Sequence, residues 1–483
     1  MAQFTISKKK LFGKLPLVFL ILFSVLGLLS SNPALTVASL AVLVIFFKMF
    51  WRPGEPPVLF YMMGYQWLQA TIMVIYADLQ GLLLQDVDAS QNVVEATWLS
   101  LFGLLVVAAG ARMAAGPNYA NVSQPVISSH VAQLSVRRLF FACLISIVLA
   151  AMMGIAAFIF RGLSQPILIA SWLHWIIVYI FAYTVLSQKR GYGALGLIFA
   201  VEILIGFLGF FSQFKVILMI FLLAALAAPS ALKGVRLRVA LTISVCILVL
   251  GVVWTGIKQE YRDFLNQGTE QQVVLVPIGE RIDKLMELVG GLDSEKIQKS
   301  SETLIQRVAY VHFFGESMHI VPQRIPYEDG KLWWEAIQNF LMPRVFFPEK
   351  PVLDDSKRTS YYIGRHVADA EDGTSISLGY VAESYIDFGP VWMAFPLFCW
   401  GFFVGRGYRV LVRSTKYPLF GYAAATVLIS IGCSVLEISN VKMVGGMVLG
   451  FVLFYIIQKY FARRILRLLV ADRNSVIRNV ANY

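Results

Sequence analysis

Long runs of apolar residues dominate the chain, and the polar residues gather between these runs. A helix needs roughly 20 predominantly apolar residues to cross a bilayer. About twelve runs meet this requirement, at residues 15–31, 33–50, 57–77, 96–116, 139–160, 166–187, 191–211, 214–230, 239–257, 389–405, 418–436 and 443–459. The pattern therefore predicts an all-α polytopic membrane protein with about 12 transmembrane helices.

A single long polar segment, residues 258–388, separates the ninth run from the tenth. Within it, apolar residues recur at three- and four-residue spacing near 278–290 and 303–321, which indicates amphipathic helices. We therefore expect transmembrane helices 1–9 in residues 1–257, one large and mostly helical loop in 258–388, transmembrane helices 10–12 in 389–459 and a tail in 460–483.

The composition excludes two other classes of protein. Hydrophobic residues make up 58% of the chain and charged residues only 14%, against about 45–50% and about 25% in soluble domains. A soluble protein of this length would need more charge on its surface. Disorder is excluded as well, because disordered chains are poor in hydrophobic residues.

The net charge of +12 is explained by topology. With the N-terminus in the cytoplasm, alternation places 24 Lys and Arg residues in cytoplasmic segments and three in short outer loops, a strong positive-inside bias. Both termini are then cytoplasmic, the tail is basic, and the 258–388 loop lies outside a cytoplasmic (inner) membrane. This distribution favours membrane lipids as partners and argues against nucleic acid.

Familiar enzyme motifs are absent from the sequence. It has no Walker A motif, no dinucleotide fingerprint, no GxSxG and no HExxH, and its four cysteines lie in apolar runs without CxxC spacing. We therefore expect neither a cofactor nor a metal site. Energy for any reaction would come from an activated substrate, an ion gradient or a partner.

The densest group of chemically active residues lies at 341–389, where prolines at 343, 348 and 351 stiffen the chain. Cations on a rigid turn beside a bilayer suit a lipid-linked phosphate, because Arg binds phosphate oxygens in pairs. Glu383 would lie near the membrane, where partial desolvation favours a general base. The alternative is a solvated loop with ordinary salt bridges. The basic residues are Arg344, Lys350, Lys357, Arg358, Arg365 and His366, with Tyr361, Tyr362 and Tyr380 among them.

Three smaller groups have both a functional and a structural interpretation. Glu202 and His174 lie within predicted spans, where an ionisable side chain is a functional candidate. The alternatives are a hydrogen-bonded packing residue, or one nearer the interface, for Glu202, and an interfacial aromatic belt with Trp172 and Trp175 for His174. Lys258 and Arg262, four residues apart, either contact phosphate or anchor a helix end. His312 and Glu316 share a helical face that could hold a metal, but a packed helix with a polar edge is the favoured interpretation.

The pattern MPRVFFPEKP, followed by SLGYVAESYIDFG, resembles the O-antigen and exopolysaccharide repeat-unit polymerase family of the Wzy type. This family lies within a wider GT-C-like group of membrane glycan polymerases and ligases. The match covers about fifty residues, and elsewhere the resemblance is one of topology. The matching positions are Pro343, Arg344, Pro348, Lys350, Pro351, Glu383, Tyr385, Phe388 and Gly389.

The resemblance implies a metal-independent glycosyltransferase that joins oligosaccharide repeat units carried on undecaprenyl pyrophosphate. Glu383 or His366 would be the catalytic base. The pyrophosphate and glycan would contact Arg344, Lys350, Arg358, Arg365, Tyr380 and Tyr385. A chain-length regulator and a flippase are candidate partners. A glycan ligase, a polysaccharide transporter and a non-catalytic assembly scaffold are the alternatives, although the chain lacks the internal repeats of many transporters.

Overall fold

The computed structural model describes residues 27–209, 214–228, 233–268, 274–344, 346–347, 349–350, 354–367 and 375–470. The first predicted span, 15–31, lies mostly outside these residues, as do the tail beyond residue 470 and the prolines at positions 348 and 351. Throughout the described part the chain is helical and forms no β-strand; an isolated bridge pairs Leu134 with Val470. The predicted all-α fold is confirmed there.

Eleven α-helices of the described chain begin before the long polar segment, and a short 3-10 helix covers Arg161–Leu163. In order they are α1 (Pro33–Phe50), α2 (Val58–Gln80), α3 (Leu84–Val87), α4 (Val93–Ala115), α5 (Ala120–Gln133), α6 (Val136–Ile159), α7 (Ser164–Ser171), α8 (Leu173–Gln188), α9 (Tyr192–Leu208), α10 (Phe214–Ala227) and α11 (Lys233–Leu265). Helix α11 continues past residue 257, where the ninth span was predicted to end, because its last turns pack against the polar segment.

The polar segment and the C-terminal part supply ten further helices within the described residues. They are α12 (Ile278–Gly290), α13 (Ser294–Val308), α14 (His312–Ile320), α15 (Lys331–Leu341), α16 (Asp355–Ile363), α17 (Tyr380–Trp392), α18 (Ala394–Arg413), α19 (Pro418–Gly432), α20 (Asn440–Tyr460) and α21 (Ala462–Leu469). The amphipathic helices predicted near 278–290 and 303–321 correspond to α12 and to the end of α13 with α14.

Among the residues that the structure describes, seven stretches of helix are long and apolar enough to cross a membrane: Pro33–Phe50, Val58–Gln80, Val93–Ala115, Val136–Ile159, Ser164–Gln188, Leu241–Leu265 and Asn440–Tyr460. Three shorter apolar helices, α9, α10 and α19, account for three more of the predicted runs. The described chain is therefore a helical bundle with several helices able to span a membrane, consistent with a multi-pass membrane protein.

The tenth predicted run, 389–405, corresponds mainly to α18, which packs closely along α4. A Cβ atom at Gly401 or Gly405 would collide with the carbonyl oxygens of Val107 and Ala111, respectively. Because the residue numbers of these contacts rise in the same direction on α18 and on α4, the two helices run parallel. Small residues four apart let helix backbones approach in this way, so α18 is held against a helix able to span the membrane although its own last turns carry arginines.

The polar segment is folded into the bundle and reaches the middle of α2. The backbone N–H of Tyr310 donates to the carbonyl oxygen of Gln69 at 3.1 Å. The hydroxyl of Tyr380 donates to Oε1 of Gln66 at 2.8 Å, and the N–H of Leu436 donates to Oε1 of Gln69 at 2.7 Å. Gln66 and Gln69 lie near the centre of α2. The beginning of α17 and the loop before α20 therefore lie level with the middle of this helix.

Candidate functional site

The centre of the candidate site is Glu383, one turn into α17 and fully buried. Its Oε2 atom accepts a hydrogen bond from the backbone N–H of Asn440, the first residue of α20, at 2.8 Å. The first N–H groups of a helix have no partner within the helix, and the helix dipole favours negative charge there. The Ser439 side chain leaves this role open, so Glu383 caps α20 from another helix.

Arg358 lies between Glu383 and a second acid, Glu335. Its Nη2 donates to Oε2 of Glu335 at 2.6 Å, and its Nη1 lies 4.0 Å from Oε1 of Glu383. The Arg358 side chain is 12% exposed, and those of Glu335 and Glu383 are 31% and 1% exposed. Neither Nη1 of Arg358 nor Oε1 of Glu383 has a hydrogen-bond partner among the described residues. Side-chain exposure therefore rises along the contacts from Glu383 through Arg358 to Glu335.

A second buried carboxylate, Asp355, also contacts the start of α20. Its Oδ2 accepts a hydrogen bond from Oγ of Ser439 at 3.1 Å and pairs with Nζ of Lys442 at 2.8 Å. Lys442 is half exposed and also donates to Oγ of Ser375. No functional role was predicted for Asp355 or Lys442. Asp355 follows Asp354 at the first turn of a helix. This position is only a weak sequence signal for a functional carboxylate.

Asp387 lies one turn after Glu383 on α17 and holds α15 in place. Its two carboxylate oxygens accept hydrogen bonds from the backbone N–H groups of Leu332 and Trp333, at 3.0 and 2.9 Å. The Trp333 ring Nε1 also donates to Oγ of Ser384 at 3.0 Å. Because α15 carries Glu335, this cap fixes the position of the acid that holds Arg358.

Burial changes the acidity of both carboxyl groups on α17. Desolvation raises the pKa of Glu383 to about 8, opposed by the charge of Arg358 and the hydrogen bond from Asn440. Desolvation also raises the pKa of Asp387 to about 6, opposed by its hydrogen bonds from α15. A carboxyl with a pKa near neutrality can both accept and return a proton, which is the property required of a general base.

A cavity of about 440 Å³ opens at the C-terminal end of α17. Its lining includes the aromatic residues Tyr327, Phe388 and Trp392 and the carboxylates Asp329 and Asp387. Asp387 follows Glu383 by one helical turn, so the cavity lies roughly 6 Å along the helix from the buried carboxyl. Aromatic rings and carboxylates are the side chains that suit the apolar faces and hydroxyl groups of sugars.

Arg365 and His366 lie just beyond the end of α16, on the exposed side. The guanidinium of Arg365 forms two hydrogen bonds of 2.9 Å with the carboxylate of Glu316 and lies 5.8 Å from the ring of Phe313. His366 is exposed, while Glu383 is fully buried. The structure therefore does not place the two candidate bases in one buried site. Glu316, considered above with His312 as a metal ligand, is engaged by Arg365.

Arg344 and Lys350 lie beyond the C-terminal end of α15 and hold its last turn. Nη1 of Arg344 donates to the carbonyl oxygen of Lys350 at 2.9 Å. Nζ of Lys350 donates to the carbonyl oxygen of Met342 at 2.9 Å and to two oxygens of Asn339. Cations are favoured at this end of a helix. The two residues lie at the opposite end of α15 from the Asp387 cap.

The two tyrosines assigned to the glycan are buried in the described structure. Tyr380 is inaccessible to solvent, and its hydroxyl bonds to Gln66. Tyr385 donates to the carbonyl oxygen of Val321 at 3.2 Å and packs against the rings of Phe314 and Tyr327.

Of the eight residues selected from the sequence, the structure brings Glu383 and Arg358 together, and long-range packing adds Glu335, Asp355 and Asn440.

The ionisable residues of the predicted spans also meet. Nε2 of His174 lies 3.6 Å from Oε1 of Glu202, and Nδ1 of His174 is 2.9 Å from the carbonyl oxygen of Ser171. This pair lies away from α17. Its packed polar contact accounts for the presence of both ionisable side chains in apolar helices. Within the described ranges, no group of three or more His, Cys, Asp or Glu residues is arranged to hold a metal ion.

Comparison with known proteins places the chain by sequence. No curated protein and no solved structure matches it. A family model described as a domain of unknown function, DUF8712, matches residues 59–469. The matched region starts in α2 and ends in α21, so it contains every residue of the candidate site. The chain therefore belongs to the DUF8712 family.

Proposed function

We propose that this protein is a membrane glycosyltransferase that polymerises lipid-linked oligosaccharide repeat units into O-antigen or exopolysaccharide. The observation that carries the proposal is the fully buried Glu383, with one oxygen held by Asn440 and the other 4.0 Å from Arg358. The sequence resemblance supports the same reaction. The protein would lie in the cytoplasmic membrane, with both termini inside and the polar segment on the periplasmic side.

Glu383 is the proposed general base. Its Oε1 takes the proton from a hydroxyl of the acceptor repeat unit while that hydroxyl oxygen bonds to the anomeric carbon of the donor glycan. The bond from that carbon to the undecaprenyl pyrophosphate oxygen breaks, and the pyrophosphate leaves with the electron pair. Cationic side chains stabilise the negative charge that develops on the leaving group. The donor supplies the energy, so the step needs no metal and no nucleotide.

Arg358 would control access to this base. The acceptor hydroxyl would reach Oε1 of Glu383 once the Arg358 guanidinium turns away from it, because Nη1 of Arg358 lies 4.0 Å from that oxygen. The partly exposed Glu335 offers Arg358 a second acidic partner, 2.6 Å away. The pyrophosphate of the donor would attract the same guanidinium. Substrate binding would in this way uncover the base.

The cavity beside Asp387 is the proposed place for a sugar of the acceptor. It is close to Glu383 along α17, and Trp392 and Tyr327 supply aromatic surface. Arg344, Lys350 and Arg365 retain a proposed supporting role in glycan or pyrophosphate binding. Each already bonds within the protein, so each would have to exchange that contact for the substrate.

The test uses the purified full-length chain in lipid nanodiscs with a lipid-linked repeat unit, and glycan length is read on a gel. We expect a ladder from the wild type and single units from Glu383→Gln, which keeps the shape and the acceptor for Asn440. Glu302→Gln, an exposed acid on α13, is the matched control and should give a normal ladder. A normal ladder from Glu383→Gln would contradict the proposal.

A further inference from the structure

A second cavity, of about 490 Å³, lies far from α17, among α6, α7, α8, α19, α20 and α21. Most of the side chains in its wall are apolar, such as Met153 from α6, Ile177 from α8, Ile457 from α20 and Ile465 from α21. Helices α6, α7, α8 and α20 belong to stretches able to span a membrane. The volume falls within the range of ligand pockets, about 300–1,000 Å³.

The polar side chains of this wall already have partners inside the protein. Oγ of Ser146 and Oγ of Ser171 each donate to the carbonyl oxygen three residues earlier in the chain, at 2.8 and 2.6 Å. His174 contacts Glu202 and the carbonyl oxygen of Ser171. The wall therefore presents mainly carbon atoms. A polar ligand would lose its hydrogen bonds to water there without replacing them, so the wall fits a hydrocarbon.

The cavity opens on an apolar side of the bundle. Two of its lining residues, Leu149 and Phe461, are exposed. Around Leu149, α6 also exposes Ile145, Val148 and Met152. A contiguous exposed apolar surface of this kind on a helix able to span a membrane faces lipid. A hydrocarbon chain could therefore enter the cavity sideways from the bilayer.

The cavity runs along α6 from the side on which α21 lies. The backbone N–H of Ser135, immediately before α6, donates to the carbonyl oxygen of Leu469 at 2.9 Å, so α21 ends beside the beginning of α6. The α6 lining extends from Ser146 to Met153, roughly 10 Å at 1.5 Å per residue. The shape is therefore elongated from α21 toward the middle of α6, as a single chain requires.

Helix α21 adds positive charge at this end of the cavity. Its side chains Arg463, Arg464 and Arg467 are exposed, while most of its apolar side chains are buried. Arg464 directly precedes Ile465, which lines the cavity, and shares a helical face with Arg467. A helix with one arginine-rich face and one apolar face is typical of a helix that lies at a membrane surface.

The helices around the cavity supply no acid to neutralise these arginines. The sequence contains no Asp or Glu between Glu95 and Glu202, between Asp387 and Glu437, or between Glu437 and Asp472. The six helices that line the cavity lie entirely within these intervals. The charge of α21 is therefore complementary to an anionic headgroup, which a basic segment at a membrane surface attracts by about 1 kcal/mol per Lys or Arg.

We propose that the cavity holds one hydrocarbon chain of an anionic phospholipid whose phosphate lies against the arginines of α21. The carbon wall accommodates the chain, and the guanidinium groups bind the phosphate oxygens. Both parts of the site meet at Arg464 and Ile465, which are adjacent in the chain. The site is separate from Glu383 and does not depend on the proposed glycan chemistry.

The test is native mass spectrometry of the full-length chain in detergent micelles, titrated with phosphatidylglycerol, phosphatidylcholine or glycerol 3-phosphate. We expect phosphatidylglycerol to bind at least tenfold more tightly than phosphatidylcholine, because only the first lipid has a net negative charge. Glycerol 3-phosphate has the charge but no chain. It should bind at least tenfold more weakly than phosphatidylglycerol.

Two pairs of variants separate the chain from the headgroup. Ala150→Phe places a ring in the cavity and should weaken phosphatidylglycerol binding at least tenfold, whereas Ala151→Phe makes the same change at an exposed position of α6 and should not. Arg464→Gln should weaken this binding about fivefold. Arg406→Gln alters an exposed arginine on α18, which does not line the cavity, and should leave binding unchanged.

Equal affinities for phosphatidylglycerol and phosphatidylcholine would overturn the proposal, and so would equal affinities of Ala150→Phe and Ala151→Phe for phosphatidylglycerol. Competition by glycerol 3-phosphate at concentrations similar to those of the lipid would assign the arginines to a free anion and refute the chain site. Because Arg464 lies on the surface, Arg464→Gln keeps the proposal testable if Ala150→Phe does not fold.

Discussion

The carboxylate of Glu383 accepts a hydrogen bond from the backbone N–H of Asn440, a residue 57 positions later in the chain. The contact joins α17 to the beginning of α20 and places a titratable group inside the protein. Glu383 is therefore at once the cap of a helix and a buried acid. These two roles make opposing demands, because the helix dipole favours the ionised carboxylate and burial favours the neutral acid.

The opposition predicts a pH-dependent stability. The pKa of Glu383 is raised from 4.5 to about 8, so the folded protein holds this proton where the unfolded chain releases it. The contribution to stability is complete below about pH 4.5 and is lost as the pH rises to about 8. Glu383→Gln cannot titrate. Its advantage over the wild type in thermal unfolding should therefore grow across this window, by a few kcal/mol.

The measurement is tryptophan fluorescence during heating of both proteins in nanodiscs at several pH values from 5 to 9. Glu302→Gln, which alters an exposed acid, serves as the control and should track the wild type. A constant difference between Glu383→Gln and the wild type at all pH values would show that Glu383 has an ordinary pKa.

Arg358 should set the pH at which the protein becomes active. Its positive charge lowers the pKa of Glu383 against the effect of burial. Removing that charge in Arg358→Gln should raise this pKa by about one to three units, so the rising limb of the rate against pH should move to higher pH. Initial rates of ladder formation between pH 5 and 10 measure the shift.

Glu335→Gln is the matched variant, because it removes the partner of Arg358 and keeps the cation. Its rising limb should stay at or below that of the wild type. If Arg358→Gln leaves the limb in place, Arg358 does not act on the group that limits the rate.

Asp387 should contribute to stability through its cap on α15. Asp387→Asn replaces one of the two accepting oxygens with an amide nitrogen, so either the Leu332 or the Trp333 N–H loses its acceptor. We expect the free energy of unfolding to fall by about 1 kcal/mol or more. Thermal unfolding in nanodiscs at pH 8 measures the change. Asp329→Asn, at an exposed position, should have little effect, and equal losses from the two variants would argue against the cap.

The parallel contact of α18 with α4 should tolerate no added carbon atom. Gly405→Ala places a Cβ against the carbonyl oxygen of Ala111, and we expect it to lower the free energy of unfolding by about 1–3 kcal/mol. Gly445→Ala is the matched variant on α20, since a Cβ there meets nothing within 4 Å. It should be neutral or slightly stabilising, because alanine favours helix. Similar effects of the two changes on thermal unfolding would refute the close contact.

The local pattern of apolar and polar residues was sufficient to predict the helical class and most of the apolar helices. It selected Glu383 and Arg358, which do meet, because both belong to a dense polar segment between apolar ones. It did not reveal Asn440 or Glu335 as their partners, since these contacts depend on how distant helices pack. It also selected Tyr380 by residue type alone, whereas burial against α2 decides its hydrogen-bond partner.

The two glutamines of α2 have a mechanical consequence for the buried carboxyl of Glu383. Gln66 binds both the hydroxyl of Tyr380, at the start of the helix that carries Glu383, and the carbonyl oxygen of Cys433. Gln69 binds the N–H of Leu436, in the loop that leads to Asn440. The segments that carry Glu383 and Asn440 are thereby both hydrogen-bonded to the same helix, α2. A tilt of α2 would carry them together and leave the spacing between acid and helix end unchanged.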